Sequence, residues 1–417
     1  MRFARFLHLA SLATLCLAFP GCGRKRAPNV LLVTFDTTRA DHMGYATGRK
    51  GVTPTLDALA ASGTWFTECV AAAPITLPSH TSILTGLYPY RHGVRDNGTY
   101  TVPHDDVTLS QILQARGYAT HAIVSSAVLD KRYGLTRGFD EYDSDLSSGD
   151  PGAPFLFREI KANQAADKAV EWLTAGRPKD RPFFLWVHFY DPHADYEPPP
   201  DVAARFPRDP YTGEIAFADR ELGRVLDALR QIGQFGRTLV VFTSDHGESL
   251  GAHGETTHTI FVYEATTRVP LLFHGPGVPA GKKVDNLTSS VDIFPTILAL
   301  LGIPPSGSVD GENLVPRWKG GTPRHEPVYM ESLAPRLDHG WAELRALRDE
   351  RYKAIQAPIP EVYDLQQDPG EWRNLLAGGA PVPPGARALF ARLSNRERQD
   401  PFNHGGQQPG SLDEEER

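Results

Sequence analysis

A hydroxyl at residue 76 stands at the start of a predicted helix. In the stretch 73–89, Pro78 suits a first helical turn, and Gly86 and Pro89 end the helix. Thr76 can cap such a helix, as threonine commonly does. The first N–H groups of a helix and its dipole also attract negative charge. The hydroxyl is therefore either a structural cap or a group placed beside an oxyanion and its leaving ester.

Side chains of the kinds that bind metals follow three strongly apolar segments. They are Asp36 after the first, Asp191 and His193 after the second, and Asp245 and His246 after the third. Two carboxylates, one imidazole and the Thr76 hydroxyl would together hold one divalent cation. A cation in that position lowers the pKa of the hydroxyl and shields the charge that builds on ester oxygens. The sequence thus predicts a metal site with a hydroxyl ligand.

The apolar segments themselves predict the elements that position these groups. Residues 29–35, 182–189 and 238–243 are continuous apolar runs, which is typical of parallel strands buried on both faces. Predicted helices lie at 53–61, 108–116, 164–173 and 215–232. This alternation predicts an α/β fold, a doubly wound, mostly parallel sheet with helices on both faces. Ligands of such sheets gather at the carboxyl ends of the strands, where Asp36 lies.

The segment around Thr76 resembles the signature of the sulfatases and of the wider alkaline phosphatase superfamily. That signature is Cys or Ser, any residue, Pro, Ser, Arg and, after three residues, Leu-Thr-Gly. Thr76, Pro78, Ser79 and residues 84–86 fall on this frame, with Thr76 in the Cys or Ser place and His80 in the Arg place. The resemblance covers residues 29–376 and implies an alkaline-phosphatase-like fold.

A second motif, Ser244-Asp-His-Gly-Glu-Ser-Leu-Gly251 with His258 beyond it, is similar to that of phosphoethanolamine transferases and related members with a threonine nucleophile. The resemblance implies that Thr76 is the nucleophile and that the metal ligands are Asp36, Thr76, Asp245 and His246. It also implies that His193 and His258 face the ester. Alternatively, His193 and His258 complete a second metal site with Asp191.

Two more residues are implied to bind substrate. His80 takes the place of the signature arginine. Asn97 matches a position where superfamily members offer an amide to a non-bridging oxygen, although an Asn before Gly98 is equally typical of a turn.

The ligand types narrow the cofactor to one divalent metal ion, with a second ion as the alternative. The ion is expected to be zinc, manganese or calcium: a lone imidazole among oxygens permits zinc or manganese, calcium prefers oxygen throughout, and the sequence does not decide between zinc and calcium.

The reaction depends on the substitution at Thr76. Sulfatases convert their Cys or Ser into formylglycine, but a threonine carries a methyl group on Cβ and would give at best a ketone. A plain threonine ester must be cleared by attack of water or an acceptor on the central atom, which suits phosphorus with metal assistance. Three cationic anchors of sulfatases are also replaced, by His80, Ser125 and Ala127.

The first hypothesis is therefore a metal-dependent hydrolase or transferase of phosphoric esters, such as a phosphodiesterase, acting through a Thr76 intermediate. The alternatives are a sulfatase that acts on sulfuric esters without formylglycine, and a non-catalytic sulfatase-like binding protein.

Composition bounds the partners. The 417 residues carry a formal net charge of −7. The chain therefore lacks the excess of basic residues that would indicate binding to nucleic acid. We expect a small-molecule, glycan or lipid ester of phosphate or sulfate as substrate.

The N-terminus predicts export. Arg2 and Arg5 precede an apolar run at 7–19 that is short for a membrane span, so residues 1–21 are predicted to be a signal peptide. Cys22 after Gly21 looks like a bacterial lipoprotein cleavage site, with ordinary signal cleavage as the alternative. We expect the periplasm or cell envelope, with membrane contact only through a lipid on Cys22.

Changes in residue composition along the chain predict its remaining domain boundaries. We expect a tether at 22–28, a catalytic domain at 29–320, a small antiparallel α+β subdomain at 321–395 and a disordered tail at 396–417. Cys69 is expected to be a buried small hydrophobe.

Overall fold

The computed structural model describes residues 27–399 except 306, 322 and 380. The predicted signal peptide, most of the tether and residues 400–417 lie outside this part. Its strands are β1 (Asn29–Phe35), β2 (Thr64–Val70), β3 (Ala119–Ile123), β4 (Glu141–Asp143), β5 (Phe183–Phe189), β6 (Thr238–Ser244), β7 (Arg268–His274), β8 (Lys282–Val284), β9 (Thr288–Ser289), β10 (Val328–Ser332), β11 (Leu344–Arg348), β12 (Tyr352–Gln356) and β13 (Glu361–Asp364).

The α-helices surround these strands. They are α1 (Gly44–Thr47), α2 (Pro54–Ser62), α3 (Thr76–Thr85), α4 (Pro89–His92), α5 (Leu109–Ala115), α6 (Ala162–Glu171), α7 (Pro200–Ala203), α8 (Pro210–Gln231), α9 (Glu264–Thr267), α10 (Ile293–Leu300), α11 (Ala334–His339) and α12 (Pro384–Gln399). Within the described part of the chain, none of these helices has the length and apolar character needed to cross a membrane.

The large sheet has the strand order β4-β3-β5-β1-β6-β7-β2-β8, and β9 also pairs with β2. Strands β4, β3, β5, β1 and β6 are mutually parallel, whereas β7 runs antiparallel to both of its neighbours. The predicted α/β class with a mostly parallel sheet is confirmed.

Both faces of this sheet are buried, as the continuous apolar runs indicate. Along β1, Val30 and Leu32 pack into the core that contains residues of α3, α5 and α10, while Leu31 and Val33 pack into the core that contains residues of α2, α6 and α8. Because successive side chains of a strand point to opposite faces, one apolar strand serves two layers of helices.

The registers of the central strands align their carboxyl ends. Phe35, the last residue of β1, pairs with Phe189 on β5 and with Ser244 on β6. The residues that follow these three strands therefore leave the sheet side by side at one edge. This adjacency brings Asp36 and Asp245 together although they are far apart in the sequence.

A second sheet, with the antiparallel order β10-β11-β12-β13, forms the small subdomain. One of its faces packs against α12, and the other packs against the main body through Val328 and Ala346 beside Val262. The predicted small antiparallel α+β subdomain is confirmed. The helix α12 runs to Gln399, a few residues past the predicted end at 395.

A buried ion network ties this subdomain to the main body. Lys353 on β12 is fully buried, and its Nζ lies 3.2 Å from Glu264 Oε1 at the start of α9 and 3.0 Å from Glu371 Oε1. The Glu371 carboxylate in turn accepts a hydrogen bond from the backbone N–H of Glu264 at 2.6 Å. Lys353 therefore compensates two buried carboxylates at once.

We predict that Lys353→Met lowers the free energy of unfolding by about 3 to 5 kcal/mol, because it leaves buried charges uncompensated. Lys283→Met is the matched control, since Lys283 forms an exposed pair with Asp285 at 3.0 Å and its loss should cost less than about 1 kcal/mol. Denaturant unfolding measures both values. Equal effects of the two substitutions would contradict the structural role of Lys353.

Candidate active site

The hydroxyl of Thr76 is not used as a helix cap. Thr76 is the first residue of α3, the N-cap position is Ile75, and the backbone N–H of Leu77 donates to Asn97 Oδ1 at 2.8 Å. Of the two alternatives for Thr76, the structural cap is thus incorrect, because Asn97 supplies the cap from another loop. This leaves the Thr76 hydroxyl for other contacts, and it leaves the Asn97 amide only its N–H donors for a ligand.

Three ligand-type side chains converge on this hydroxyl. Asp36, Asp245 and His246 are fully buried, and their ligand atoms lie within 4.8 Å of one another. His246 Nε2 lies 3.6 Å from Asp36 Oδ1 and 3.4 Å from Asp245 Oδ2. The same nitrogen lies 3.4 Å from Thr76 Oγ1. The structure brings together the four groups predicted to bind a metal.

The tautomer of His246 follows from its backbone contact. Its Nδ1 lies 3.0 Å from the carbonyl oxygen of Gly247, which only accepts, so Nδ1 carries the proton and Nε2 faces the carboxylates. Burial alone lowers the pKa of His246, but the charges of Asp245 and Asp36 outweigh it and leave the pKa raised. Positive charge is therefore favoured where these groups meet.

Asp36 and Asp245 have carboxylate oxygens that are placed to bind a cation. Among the described residues, neither carboxylate oxygen of Asp36 has a hydrogen-bond partner, nor does Asp245 Oδ2. Burial raises the pKa of both carboxyls, and the proximity of Asp36 adds to the rise at Asp245. Buried charges of one sign are costly unless they are paired or coordinate a metal. A divalent ion between these oxygens fits the residues present.

Backbone contacts fix the Asp245 carboxylate. Its Oδ1 accepts hydrogen bonds from the N–H groups of Thr37 at 3.2 Å and His246 at 2.8 Å, which leaves Oδ2 to face the site. Thr37 has a positive φ of 47°, an uncommon conformation for a β-branched residue, and its hydroxyl donates to the carbonyl of Pro192. Ser79 Oγ donates to the Asp245 carbonyl at 2.6 Å and ties α3 to the end of β6.

Two more imidazoles border this cluster, as the resemblance implies. The ring of His258 lies with its centroid 4.4 Å from that of His246 and 5.1 Å from that of His193. His193 Nδ1 donates to the carbonyl of Ala194 at 2.8 Å, so its Nε2 is free to accept. Burial lowers the pKa of His193 to about 4 and that of His258 well below its ordinary value.

Glu248 is a site residue that the sequence interpretation left without a role. It is fully buried, and its Oε1 lies 3.4 Å from His258 Nδ1. A carboxylate in this position orients the imidazole and leaves Nε2 for other contacts. The signal was present in the motif, since Glu248 follows the Asp-His pair closely, but the spacing alone does not show that its side chain meets His258.

His188 is a second residue that was missed. Its Nε2 lies 3.4 Å from Asp36 Oδ2, and its Nδ1 lies 3.3 Å from the backbone N–H of Ser125. Burial lowers the pKa of His188 to about 4, so the ring is neutral near pH 7. Ser125, which stands where sulfatases have a lysine, also donates its hydroxyl to the His188 carbonyl at 2.5 Å. A histidine in a buried strand gives no pattern by which to find it.

The expectation that His80 contacts the substrate is wrong. The ring is fully buried behind α3, with Nδ1 2.9 Å from the Thr76 carbonyl oxygen and Nε2 3.1 Å from Thr34 Oγ1. Burial lowers its pKa to about 3, so it is neutral. Both nitrogens are occupied, and His80 supports the backbone of Thr76.

Asp191 does not join His193 and His258 in a second metal site. Its Oδ2 accepts a hydrogen bond from the N–H of Ala162 at 2.7 Å and so caps α6. The Asp191 carboxylate also lies near the cation of Lys161 and near a second buried acid, Glu214. Capping leaves Asp191 Oδ1 without a hydrogen-bond partner, so it is the placement of Asp191 that decides. Among the described residues, the ligand atoms that converge are those of Asp36, Asp245 and His246, and Asp191 forms no such group with His193 and His258, so this alternative is incorrect.

Comparison with known proteins identifies relatives of this arrangement. The model of the Sulfatase family matches residues 28–303, and that described as N-sulphoglucosamine sulphohydrolase, C-terminal, matches residues 251–394. The chain is 28% identical to steryl-sulfatase of Mus musculus, covering 92% of this chain and 86% of that protein. It is 23% identical to N-acetylglucosamine-6-O-sulfatase of Bacteroides thetaiotaomicron, covering 94% and 90%.

A solved structure of an enzyme with a different activity shows the same fold. The crystal structure of phosphonate monoester hydrolase of Agrobacterium radiobacter superposes with a TM-score of 0.71 at 25% identity, covering 90% of this chain and 96% of that one. The likeness includes both the large sheet and the C-terminal subdomain, since nearly the whole of each chain is aligned.

We predict that the purified protein binds about one divalent ion and that Asp245→Asn removes it, because one of two anionic ligands is lost. Asp191→Asn is the matched control, another buried aspartate that should retain the ion, since Asp191 caps α6. Elemental analysis after dialysis measures both. Retention of metal by Asp245→Asn, or its loss from Asp191→Asn, would contradict this assignment.

Proposed function

The protein belongs to the sulfatase family, and we propose that it hydrolyses sulfate esters through the hydroxyl of Thr76. The family and its ester-hydrolase chemistry come from the match over residues 28–303. The nucleophile, the ion and the substrate are the proposed parts. Against the first hypothesis of phosphoric esters, the sulfatase relatives favour the sulfuric ester alternative.

One observation carries the proposal. Asp36 and Asp245 have buried carboxylate oxygens with no hydrogen-bond partner within the described chain, and these surround a nitrogen that is 3.4 Å from Thr76 Oγ1. A capping or core threonine needs no such surroundings. The non-catalytic alternative is disfavoured for the same reason, because unpaired buried acids are costly when they have no function.

The proposed reaction has two displacements at sulfur. Thr76 Oγ forms a bond to sulfur as the bond from sulfur to the alcohol oxygen breaks, and the alcohol leaves with a proton. Water then attacks the sulfur of the threonine sulfate, which releases inorganic sulfate and restores the Thr76 hydroxyl. This route needs no formylglycine, since the carbonyl is not required to expel sulfate. A bound cation would lower the pKa of the hydroxyl and shield the charge on the ester oxygens.

The neighbouring imidazoles are the proposed groups for the leaving alcohol. His193 and His258 are partly exposed, unlike the buried groups of the cluster, and His258 is oriented by Glu248. An imidazole in this position hydrogen-bonds the alcohol oxygen and transfers a proton to it as negative charge builds there. The N–H groups of Asn97 are proposed to bond a non-bridging oxygen, because its carbonyl is already used by Leu77.

We propose zinc or manganese as the ion. The donor set contains the imidazole nitrogen of His246 beside the oxygens of Asp36, Asp245 and Thr76, and calcium prefers ligands that are all oxygen. A single ion agrees better with the residues present than a pair does, because within the described chain only Asp36, Asp245 and His246 bring three such ligand atoms together.

Phosphoric esters remain the second candidate, on the strength of Thr76 itself. A threonine ester of phosphorus is cleared by metal-assisted attack of water, whereas a sulfatase with threonine lacks the usual aldehyde. The solved relative named as a phosphonate monoester hydrolase has the same fold. The two chemistries share all the residues of the site, so only turnover separates them.

We predict that Thr76→Val abolishes turnover, by about a thousandfold or more, while the ion stays bound, because the change removes only the hydroxyl from a side chain of equal shape. Thr76→Ser restores the hydroxyl and should keep turnover within about tenfold of the original. Rate and metal content are measured on the same samples. Full turnover by Thr76→Val would end the nucleophile assignment.

We also predict that one metal-loaded preparation hydrolyses 4-nitrophenyl sulfate with a kcat/KM at least about tenfold above that for bis(4-nitrophenyl) phosphate. The shared leaving group makes the comparison one of sulfur against phosphorus. The opposite order would replace the sulfatase proposal by the phosphoric ester candidate.

A further inference from the structure

The segment 332–341, from the end of β10 through α11, touches three of the loops that carry site residues. Ala334 packs in one apolar cluster with Ala73 and Ile75, directly before Thr76. Ser332 Oγ donates to the carbonyl oxygen of Thr259, directly after His258. A segment of the C-terminal subdomain therefore contacts the loop that carries Thr76 and the loop that carries His258.

The third contact runs through Asp96, which precedes Asn97. Asp338 of α11 is a direct neighbour of Asp96, and burial followed by this carboxylate raises the pKa of Asp96 to about 7. Asp96 Oδ1 also accepts a hydrogen bond from the Asn97 N–H at 2.8 Å. Since Asn97 caps the helix that begins at Thr76, α11 borders the site at a third loop as well.

This segment ends in an exposed aromatic ring. Trp341 is 60% exposed, and its backbone N–H donates to the carbonyl of Pro335 at 3.0 Å, which holds it against the end of α11. Its ring lies 4.8 Å from that of His339. Arg336, which lies in α11 with His339, is exposed and pairs with Glu343 at 3.0 Å. The result is a flat apolar ring among charged and polar side chains.

A second exposed aromatic borders the same loop from another direction. Phe157 is 70% exposed and follows Leu156, which is 47% exposed. Leu156 packs against Gly98, so closely that a Cβ added to Gly98 would lie 3.3 Å from Leu156 Cδ2. The loop containing Asn97 therefore has an exposed aromatic residue on each of two neighbouring segments.

We propose that Trp341 and Phe157 are specificity-determining residues that bind the sugar part of a sulfated-sugar substrate. This rests on the proposed sulfatase function and names the alcohol that it leaves open. The faces of a pyranose ring present C–H groups that pack on an aromatic ring, while its hydroxyls bond to polar neighbours such as Arg336 and His339. A sterol would require a contiguous apolar patch, whereas charged residues alternate with the apolar ones on α11.

The test uses the full-length metal-loaded protein and N-acetylglucosamine 6-sulfate. Trp341→Ala and Phe157→Ala are expected to raise KM about tenfold each with kcat within about twofold, because stacking binds ground state and transition state alike. Trp341→Phe should recover most of the loss. The matched control is Trp372→Ala, since Trp372 is 68% exposed but stacks on His253 at 4.3 Å, and its KM should not change.

Each outcome separates the inference from the function beneath it. Sulfate-ester turnover with an unchanged KM in Trp341→Ala and Phe157→Ala, or an equal rise in Trp372→Ala, overturns the sugar site and leaves the sulfatase proposal standing. A higher kcat/KM of the unmodified protein for a steroid sulfate than for the sugar sulfate overturns the sugar class. No turnover of any sulfate ester overturns the function and this assignment together. Thermal unfolding of each variant identifies a loss that comes from misfolding.

Discussion

The burial of two aspartates in one place is the constraint on which this site depends. Asp36 and Asp245 are removed from water, yet among the described residues both oxygens of Asp36 and Oδ2 of Asp245 have no hydrogen-bond partner. Such a pair is tolerated only if positive charge lies between them. Burial lowers the pKa of His246, but the charges of Asp245 and Asp36 leave it raised. A divalent ion held there would supply that charge and would also lower the pKa of the Thr76 hydroxyl.

The fold creates this pair by strand order rather than by local sequence. Strand β1 lies between β5 and β6, and their registers bring the residue after each strand to the same edge of the sheet. Helix α3 then presents Thr76 to that edge, held by Ser79 at the end of β6 and capped by Asn97. The cap from a distant loop matters because it frees the hydroxyl that a simple capping threonine would use.

The parallel strands and the meeting of the two aspartates could be predicted from residue type and spacing. The apolar runs predicted the parallel strands, and an acidic residue at the end of each predicted where Asp36 and Asp245 would meet. What failed were assignments that depend on where a side chain points. His80 turns behind α3, and Asp191 turns to cap α6. Glu248 and His188 gained roles only through contacts made across the fold, which no periodicity encodes.

The central claim is that Thr76 becomes covalently bonded to the group it transfers. The most direct measurement is mass spectrometry of the peptide containing Thr76 after rapid acid quenching of the metal-loaded protein during turnover of an aryl sulfate. We predict a sulfate ester on Thr76 that disappears when the substrate is exhausted. An unmodified Thr76 peptide, in samples where alcohol has already been released in an amount that exceeds the enzyme, would contradict it.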